Sequence, residues 1–337
     1  MLSTLGKGIR SHKIIITSST NPHLNLAKEL SLLYMPKSDE NILYLWRNAP
    51  TVVIGKHQNP YKECNLEFMK KEHITLARRP TGGGAVYQDL GNTCWTFLSP
   101  KFTPQHNTGV IVSALKQLGI DSYGTGRNDV EVDGKKISGA AFRKAEHRSI
   151  HHGTMLFNVN MANLSKVLTV DQSKLQAKGV DSVRSRVMNL VEIKPDINHE
   201  MFCEAMIKEY QKIFGNCEII HSSAEDFLKN EDVKKRYELL SSNKWLFGQC
   251  SSAKVSFSNR FDFGLFDVTV IINNGEIQDI KVNSDCLVNE ITEDFQIKLL
   301  KCIKLKSVEP LSEYGQLNKG MTETLFKWAQ KELRKYF

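Results

Sequence analysis

Nowhere in this chain do apolar residues run for the roughly 18 positions that a bilayer span requires. The longest buried-looking runs, KIIIT (13–17) and TVVIG (51–55), are strand-sized, so no membrane role is expected. No CxxC pair occurs: the seven cysteines, at 64, 94, 203, 217, 250, 286 and 302, are odd in number and scattered. That argues against a disulfide framework or a zinc ribbon and fits a reducing compartment. Acidic residues are missing before Glu29, whereas Lys7, Arg10, Lys13 and Lys28 are already present. This start fits the tail of an organelle-targeting segment or an ordinary basic arm, and the lack of an apolar h-region disfavours secretion. Also missing are a GxxxxGK[ST] phosphate loop, a GxGxxG dinucleotide fingerprint, an HExxH zinc helix and a GxSxG elbow, which removes the commonest nucleotide, zinc and serine chemistries.

What is present suits a globular protein. With 41% hydrophobic residues in 337, the chain can bury a large core as one large or two unequal domains. A net charge of +8 attracts acidic partners without choosing between nucleic acid, small anions and acidic protein.

Local signals place the elements. KIIIT reads as a strand, and Asn21-Pro22 as an N-cap with proline at the first helical position, ahead of a face formed by Leu26, Leu30, Leu33 and Tyr34. ILYLW (42–46) and TVVIG read as two strands joined by a turn at Asn48 to Pro50; a short helix, NLEFMKKEH, then precedes strand ITLARR. TCWTFLS (93–99) is another strand, and Val110, Ile111, Leu115 and Leu118 mark a helix stopped by Gly119. In VEV-DG-KKISG, Asp133-Gly134 predicts a type I′ hairpin pairing Val132 with Lys135, Glu131 with Lys136 and Val130 with Ile137. Val130, Val132 and Ile137 then share one face with Lys135, and Glu131, Lys136 and Ser138 the other. HHGTMLFNVN (151–160) reads as a strand whose adjacent histidines, His151 and His152, point to opposite faces and cannot ligate one metal together. Ser222 with Glu225 suits a capping box, Asn274-Gly275 a second hairpin, and TETLFKWAQKELRKYF a closing helix with Trp328 and Leu333 as packing residues. A domain boundary is expected near residue 250.

The stretch RRPTGGGAVYQDLGN (78–92) sets three consecutive glycines beside two arginines. Glycine permits positive φ and close approach of backbone to a ligand, although an isolated GGG is as well read as a hairpin turn. Three polar segments, RRPTGGGAVYQD, GRND with KKISG, and HHGT, remain to carry chemistry. Backbone N–H groups of Gly83, Gly84, Ala85 and Val86, with Arg79, could meet phosphate or carboxylate oxygens.

Together with LWRNAPTVVIGKHQNPYKECN, GRNDVEVDGKKISGAAFR, HHGTMLFN and AKGVDSVRSRVMNL, that stretch resembles the lipoate-protein ligase A family in order and spacing, from about Ile14 to the Trp245 region. The resemblance implies an α/β (α+β) fold: a mixed-sheet catalytic domain, residues 1–250, similar to biotin protein ligases and class II aminoacyl-tRNA synthetases, and a small C-terminal α+β accessory domain, 251–337. It implies two steps: ATP and lipoate give lipoyl-AMP and pyrophosphate, then a lysine of a lipoyl domain takes the acyl group. It implies that Arg79, Gly83, Gly84, Ala85, Val86 and Tyr87 hold nucleotide and acyl phosphate, that Lys136 is the catalytic lysine, and that Asn128, Asp129, His152 and Thr154 complete the pocket. Mg²⁺ is expected with ATP, its ligands not identified. Where the family usually has histidine after the aromatic residue of the glycine motif, this chain has Gln88.

Expected partners are the glycine-cleavage H protein and the E2 subunits of 2-oxoacid dehydrogenases, with no nucleic acid or membrane, and the chain is expected to be a monomer. The expected compartment is the mitochondrial matrix, or the cytoplasm if the source is bacterial. The alternatives are a lipoyl- or octanoyltransferase on the same fold, which uses preformed acyl-AMP or acyl-protein, and a nucleic-acid-binding module, against which the dispersed basic residues argue. Residues 177–190 are expected either to order over the acyl-adenylate or to form a permanently ordered surface loop.

Overall fold

A strand whose every side chain is apolar must be covered on both faces, and ILYLW shows how this chain achieves that. The computed structural model describes residues 12–101, 103–125, 128–168, 187–247, 253–273, 276–286, 289–304 and 319–334. Strand β1 (Lys13–Thr17) runs parallel to β2 (Ile42–Trp46), and the connection carries helix α1 (Pro22–Leu33). The expected Asn21 cap is in place, its side chain accepting from the Leu24 N–H at 3.1 Å, with Pro22 in the first turn. Leu26, Leu30 and Leu33 are buried, but Tyr34 is the C-cap and is 47% exposed, one position past the apolar face.

The turn after β2 does not fold the chain back onto it. Strand β3 (Thr51–Ile54) enters a separate three-stranded sheet, parallel to β4 (Thr75–Arg78) and antiparallel to β5 (Val86–Gln88), with α2 (Pro60–Glu63) and α3 (Leu66–Lys71) between β3 and β4 in the chain. The main sheet is completed by β6 (Asn92–Ser99), β7 (Tyr123–Thr125), β8 (Asp129–Val132), β9 (Lys135–Lys144), β10 (Ser149–Leu156) and β11 (Glu218–Ser222). Its order is β11-β1-β2-β6-β10-β9-β8-β7, parallel where β1 meets its two neighbours and antiparallel across β2, β6, β10 and β9. Helices α4 (Pro104–Gln117), α5 (Met161–Val167), α6 (His199–Phe214), α7 (Ala224–Leu228), α8 (Glu231–Ser241) and α9 (Asn243–Phe247) follow in chain order.

One face of the main sheet puts Leu43, Leu45 and Phe97 against Ile111 of α4 and Phe202 of α6; the other puts Ile42, Tyr44 and Trp46 against Leu26 of α1 and Val233 of α8. Alternation therefore divides ILYLW between two cores. The same alternation separates the adjacent histidines. His151 packs edge-on against Trp95, while His152 faces the core that contains Trp46.

The Asp133-Gly134 turn has φ of 49° and 73°, the left-handed pair that a type I′ turn requires. Val132 pairs with Lys135 and Glu131 with Lys136, as expected, but a bulge then shifts the register so that Val130 opposes Ser138 and not Ile137. The extra residue lets both Ile137 and Ser138 be buried, and Ser138 leaves the polar face assigned to it. The capping box lies one residue later than the sequence suggested: Ser223 and Asp226 bond reciprocally, not Ser222 and Glu225.

Beyond residue 252, β12 (Ala253–Phe261), β13 (Gly264–Asn273) and β14 (Glu276–Ser284) form an antiparallel sheet, followed by α10 (Asn289–Lys304) and α11 (Lys319–Leu333). Phe266, Val268, Phe295 and Phe326 give it a core of its own. Trp328 packs on Phe257 and Phe261 at 5.3 and 5.5 Å, and Leu333 is buried. The Asn274-Gly275 turn and the boundary near residue 250 lie outside the described residues. Among the described residues, no helix is long and apolar enough to cross a membrane.

Arg78, fully buried at the end of β4, ties these parts together. Its Nη1 donates to the carbonyls of Gly55, Lys56 and Gln58 at 2.8 to 3.2 Å, and Nε and Nη2 donate to the Leu246 carbonyl. Trp245 returns an indole N–H to the Arg78 carbonyl at 2.9 Å. Arg78→Met would leave several carbonyls without a charged donor, which is expected to lower stability by about 3 kcal/mol or more. Urea unfolding followed by circular dichroism measures it, and an unchanged midpoint would show that α9 is held by other contacts.

Candidate active site

The two sheets enclose a cavity of about 230 Å³. Its floor is the α1 side of the main sheet, where the registers place Trp46, Cys94, Gly139, Ala141, His152 and Thr154 on one face. Its opposite wall is the second sheet, from which β3 presents Val53 and β5 presents Val86 and Gln88. On that face β9 presents Gly139 and Ala141, which leave the volume that larger residues would fill.

The glycine loop between β4 and β5 closes one side, and Arg79 shapes it. This guanidinium is 7% exposed and donates to the carbonyls of Val53, Gly82 and Gly84 at 2.7 to 3.1 Å, and through Nε to Thr81 Oγ1 at 3.1 Å. Burial pushes its pKa down to about 10, the charge of Glu29 opposing that shift, so it stays protonated at neutral pH. Gly83 adopts φ of 94°, and a Cβ there would lie 2.8 Å from Arg79 Nη2. Only glycine permits both the turn and the arginine packed beneath it.

Thr81 connects the loop to a buried chain of polar groups. Its hydroxyl lies 2.8 Å from His152 Nε2; since Oγ1 already accepts from Arg79, its proton is free for that nitrogen. His152 then carries a proton on Nδ1 and donates it to Glu29 Oε1 at 2.7 Å. The same carboxylate oxygen accepts from Thr96 Oγ1 at 2.7 Å, and Thr96 accepts from the Trp46 indole at 3.1 Å. Burial and the Glu29 charge raise the Cys94 thiol well above its usual range, so it stays protonated beside this chain.

At the other end lies Lys136, about a third exposed, its Nζ 2.8 Å from Asp129 Oδ1. The aspartate, and not the cross-strand Glu131, is its ionic partner. A Cβ on Gly139 would fall 2.7 Å from both Cε and Nζ of Lys136, so the ammonium rests on bare backbone. Asn128 is fixed on Ala140, its Nδ2 donating to that carbonyl at 3.0 Å. The Lys136 carbonyl accepts from Met188 N–H at 3.0 Å, which pins the segment leaving the 177–190 region; Met188 and Leu190 are buried, and 177–186 lie outside the described residues.

Of the residues expected from sequence, Arg79, Gly83, Gly84, Ala85, Val86, Asn128, Lys136, His152 and Thr154 line the cavity. Asp129 is present through its ion pair with Lys136. Tyr87 does not line it: strand alternation turns this ring into the core beside Val52, Ile54 and Met69, where its hydroxyl accepts from Asn163 Nδ2 at 3.3 Å. Trp46, Cys94 and Gly139, which line it, and Glu29 and Thr81, which bond to His152, were not expected. Gly139 and Ala141, small residues at alternate positions of one strand, were the signal that could have located the floor.

A mixed-sheet domain with an arginine-braced glycine loop and a lysine at the mouth of a deep cavity defines a class of acyl-binding enzymes, and the comparisons with known proteins give its family. Residues 21–211 match the lipoyl protein ligase A/B catalytic domain, and residues 252–307 the bacterial lipoate protein ligase C-terminus. A lipoate-protein ligase A of Bdellovibrio bacteriovorus is 40% identical over 92% of this chain and 96% of its own length. The crystal structure of P. falciparum LipL1 in complex with lipoate superposes with a TM-score of 0.63 at 32% identity, covering 95% of this chain and 99% of that one. A bipartite lipoate protein ligase from Thermoplasma acidophilum, solved in a study of that archaeal system and its E2 lipoyl domain, gives 0.61 at 26% identity, covering 72% and 98%. The chain belongs to the lipoate-protein ligase family.

Among the described residues, the hydroxyl of Thr81 is the hydrogen-bonding link between loop and histidine. Thr81→Val is expected to cost about 1 to 3 kcal/mol because Arg79 Nε and His152 Nε2 lose a buried partner. Thr81→Ser should recover most of it. Denaturant unfolding of both variants measures the difference, and equal stability of the valine and serine forms would show that the hydroxyl link contributes nothing.

Proposed function

We propose that this protein activates lipoate with ATP to lipoyl-AMP and passes the lipoyl group to a specific lysine of lipoyl-domain proteins. The observation that carries the reading is the Lys136 ammonium, held by Asp129 on the bare backbone of Gly139 at the mouth of a cavity whose far end is closed by Leu26, Trp46 and Cys94. An amphiphilic acid fits that polarity, its apolar body inside and its carboxylate at the lysine.

In the first step the carboxylate oxygen attacks the α-phosphorus of ATP and pyrophosphate leaves. Negative charge collects on the α-phosphate oxygens, where a fixed ammonium and backbone N–H groups lower the barrier. Lys136 would meet both the carboxylate and those oxygens, while Gly84, Ala85 and Val86 supply N–H donors. Arg79 acts by holding the loop, since its donors are already engaged by carbonyls. In the second step the neutral amine of the acceptor lysine attacks the acyl carbonyl and AMP leaves. Asn128 and Thr154 border the same cavity, and Tyr87 has no part in it.

Among the described residues, no three carboxylate, imidazole or thiol groups converge on one point. Mg²⁺ arriving with ATP would rest chiefly on phosphate oxygens and water. The accessory region, which we take as 251–337, carries the match to the ligase C-terminus, and this favours ATP-dependent activation over a transferase that uses preformed acyl groups. We take the chain to be a monomer whose net charge of +8 suits acidic lipoyl domains of the H protein and E2 type. Its bacterial relative favours the cytoplasm over the mitochondrial matrix.

Pyrophosphate release on mixing the protein with ATP and lipoate tests the reading, and its absence would leave the transferase. Lys136→Ala is expected to lower that rate by about 10² to 10³ without unfolding the protein, while exposed Lys135→Ala stays active. Gly139→Ala should mimic the Lys136 loss by displacing its ammonium. Equal rates for the two lysine variants would remove Lys136 from the reaction.

A further inference from the structure

The surroundings of Gln88 fix which end of its amide meets the cavity. Asn25, fully buried in α1, donates from Nδ2 to the backbone carbonyls of Ser19 and Arg47 at 3.0 and 2.9 Å. Carbonyls only accept, so the nitrogen of Asn25 must point there. The same Nδ2 lies 3.0 Å from Asn48 Oδ1, and Asn48, also fully buried, donates from Nδ2 to Gln88 Oε1 at 2.7 Å. The two hydrogens of Asn25 Nδ2 are shared among three acceptors, and an oxygen of Asn48 is what that nitrogen can face, which turns Asn48 Nδ2 toward Gln88. Gln88 is left with its NH₂ turned from Asn48, on the β5 face that lines the cavity with Val86.

This donor belongs to the buried end, because its tether Asn48 follows Trp46 by two residues and Asn25 adjoins Leu26. The other polar side chains there are engaged with one another: Trp46 with Thr96, His152 with Glu29 and Thr81, Arg79 with loop carbonyls. Besides the weak thiol of Cys94 and the hydroxyl of Thr154, which lies opposite Cys94 in the sheet, the Gln88 NH₂ is a side-chain donor facing that end.

We propose that Gln88 is a specificity-determining residue whose amide N–H, aimed by the Asn25–Asn48 chain, selects an acyl group carrying an acceptor at its far end, the dithiolane sulfur of lipoate, over an unsubstituted alkyl chain. The proposal rests on the lipoate-activating function stated above. A sulfur accepts weakly, but a plain hydrocarbon leaves the buried N–H with no partner. Unlike histidine, the amide does not titrate, so this selection is independent of pH in the physiological range.

Pyrophosphate release with lipoate and with octanoate, each as kcat/KM, tests it in the wild type, in Gln88→Leu and in Gln88→Glu. Leucine keeps the bulk without the donor; glutamate keeps the bond from Asn48 but offers an acceptor to the cavity. The preference for lipoate over octanoate is expected to fall about three- to tenfold in both variants, through loss with lipoate and not with octanoate. Thermal melts establish that at least one variant is folded, and Asn48→Leu, which frees the amide to turn, should lower the preference in the same direction. An unchanged ratio in a folded variant, or equal losses on both acids, overturns the proposal. Failure of the wild type to release pyrophosphate with either acid would instead overturn the underlying function.

Discussion

A guanidinium whose donors are all engaged by backbone carbonyls and one hydroxyl holds the glycine loop in place, and much of the site depends on that arrangement. Arg79 spans β3 and the loop, so the wall of the cavity and the glycine backbone are tied to one side chain. Through Thr81 the same side chain is linked to His152, and through His152 to the buried carboxylate of Glu29. Such a network is costly to leave partly satisfied in a low-dielectric interior, which favours a single arrangement of its members. Rigidity of this kind suits a reaction whose catalysis comes from positioned charge.

The reading of the sequence succeeded where a local rule had a local cause. The Asn21 cap, the first two hairpin pairs and the opposition of His151 to His152 each follow from one or two residues and a fixed period. It failed where tertiary burial chose between near-equal local options. The bulge after Lys136 buries Ile137 and Ser138 together, and no periodicity announces it. The capping box slid by one residue between two serines each followed three positions later by an acid. Tyr87 was placed with its glycine neighbours, but once the loop becomes strand β5 alternation turns it away.

Much of the site was legible because it sits in contiguous motifs, and the rest was hidden because it comes from across the fold. Glu29 reads as an ordinary helix carboxylate until the main sheet brings His152 and Thr96 against it, 123 and 67 residues away in sequence. Trp46 closes a run in which every residue is apolar, so nothing local distinguishes the one that faces the cavity. Absence was a signal too. Gly139 and Ala141 are notable for the volume they do not occupy, and that emptiness is the cavity.

The two adjacent arginines that open the glycine motif impose an order on how this molecule can be made. Arg79 finds its partners within 26 residues of itself, whereas Arg78 must wait for the carbonyl of Leu246, 168 residues further along the chain. During vectorial synthesis the loop can form early, and Nη1 of Arg78 can meet the Gly55, Lys56 and Gln58 carbonyls, yet Nε and Nη2 reach the Leu246 carbonyl only when α9 has left the ribosome. β1 has the same dependence, since its outer neighbour β11 is made about 200 residues after it, the Thr17 hydroxyl bonding the Ser222 carbonyl at a separation of 205. The nascent catalytic region thus stays unfinished for most of its translation, its first strand and its buried arginine both completed by segments made last.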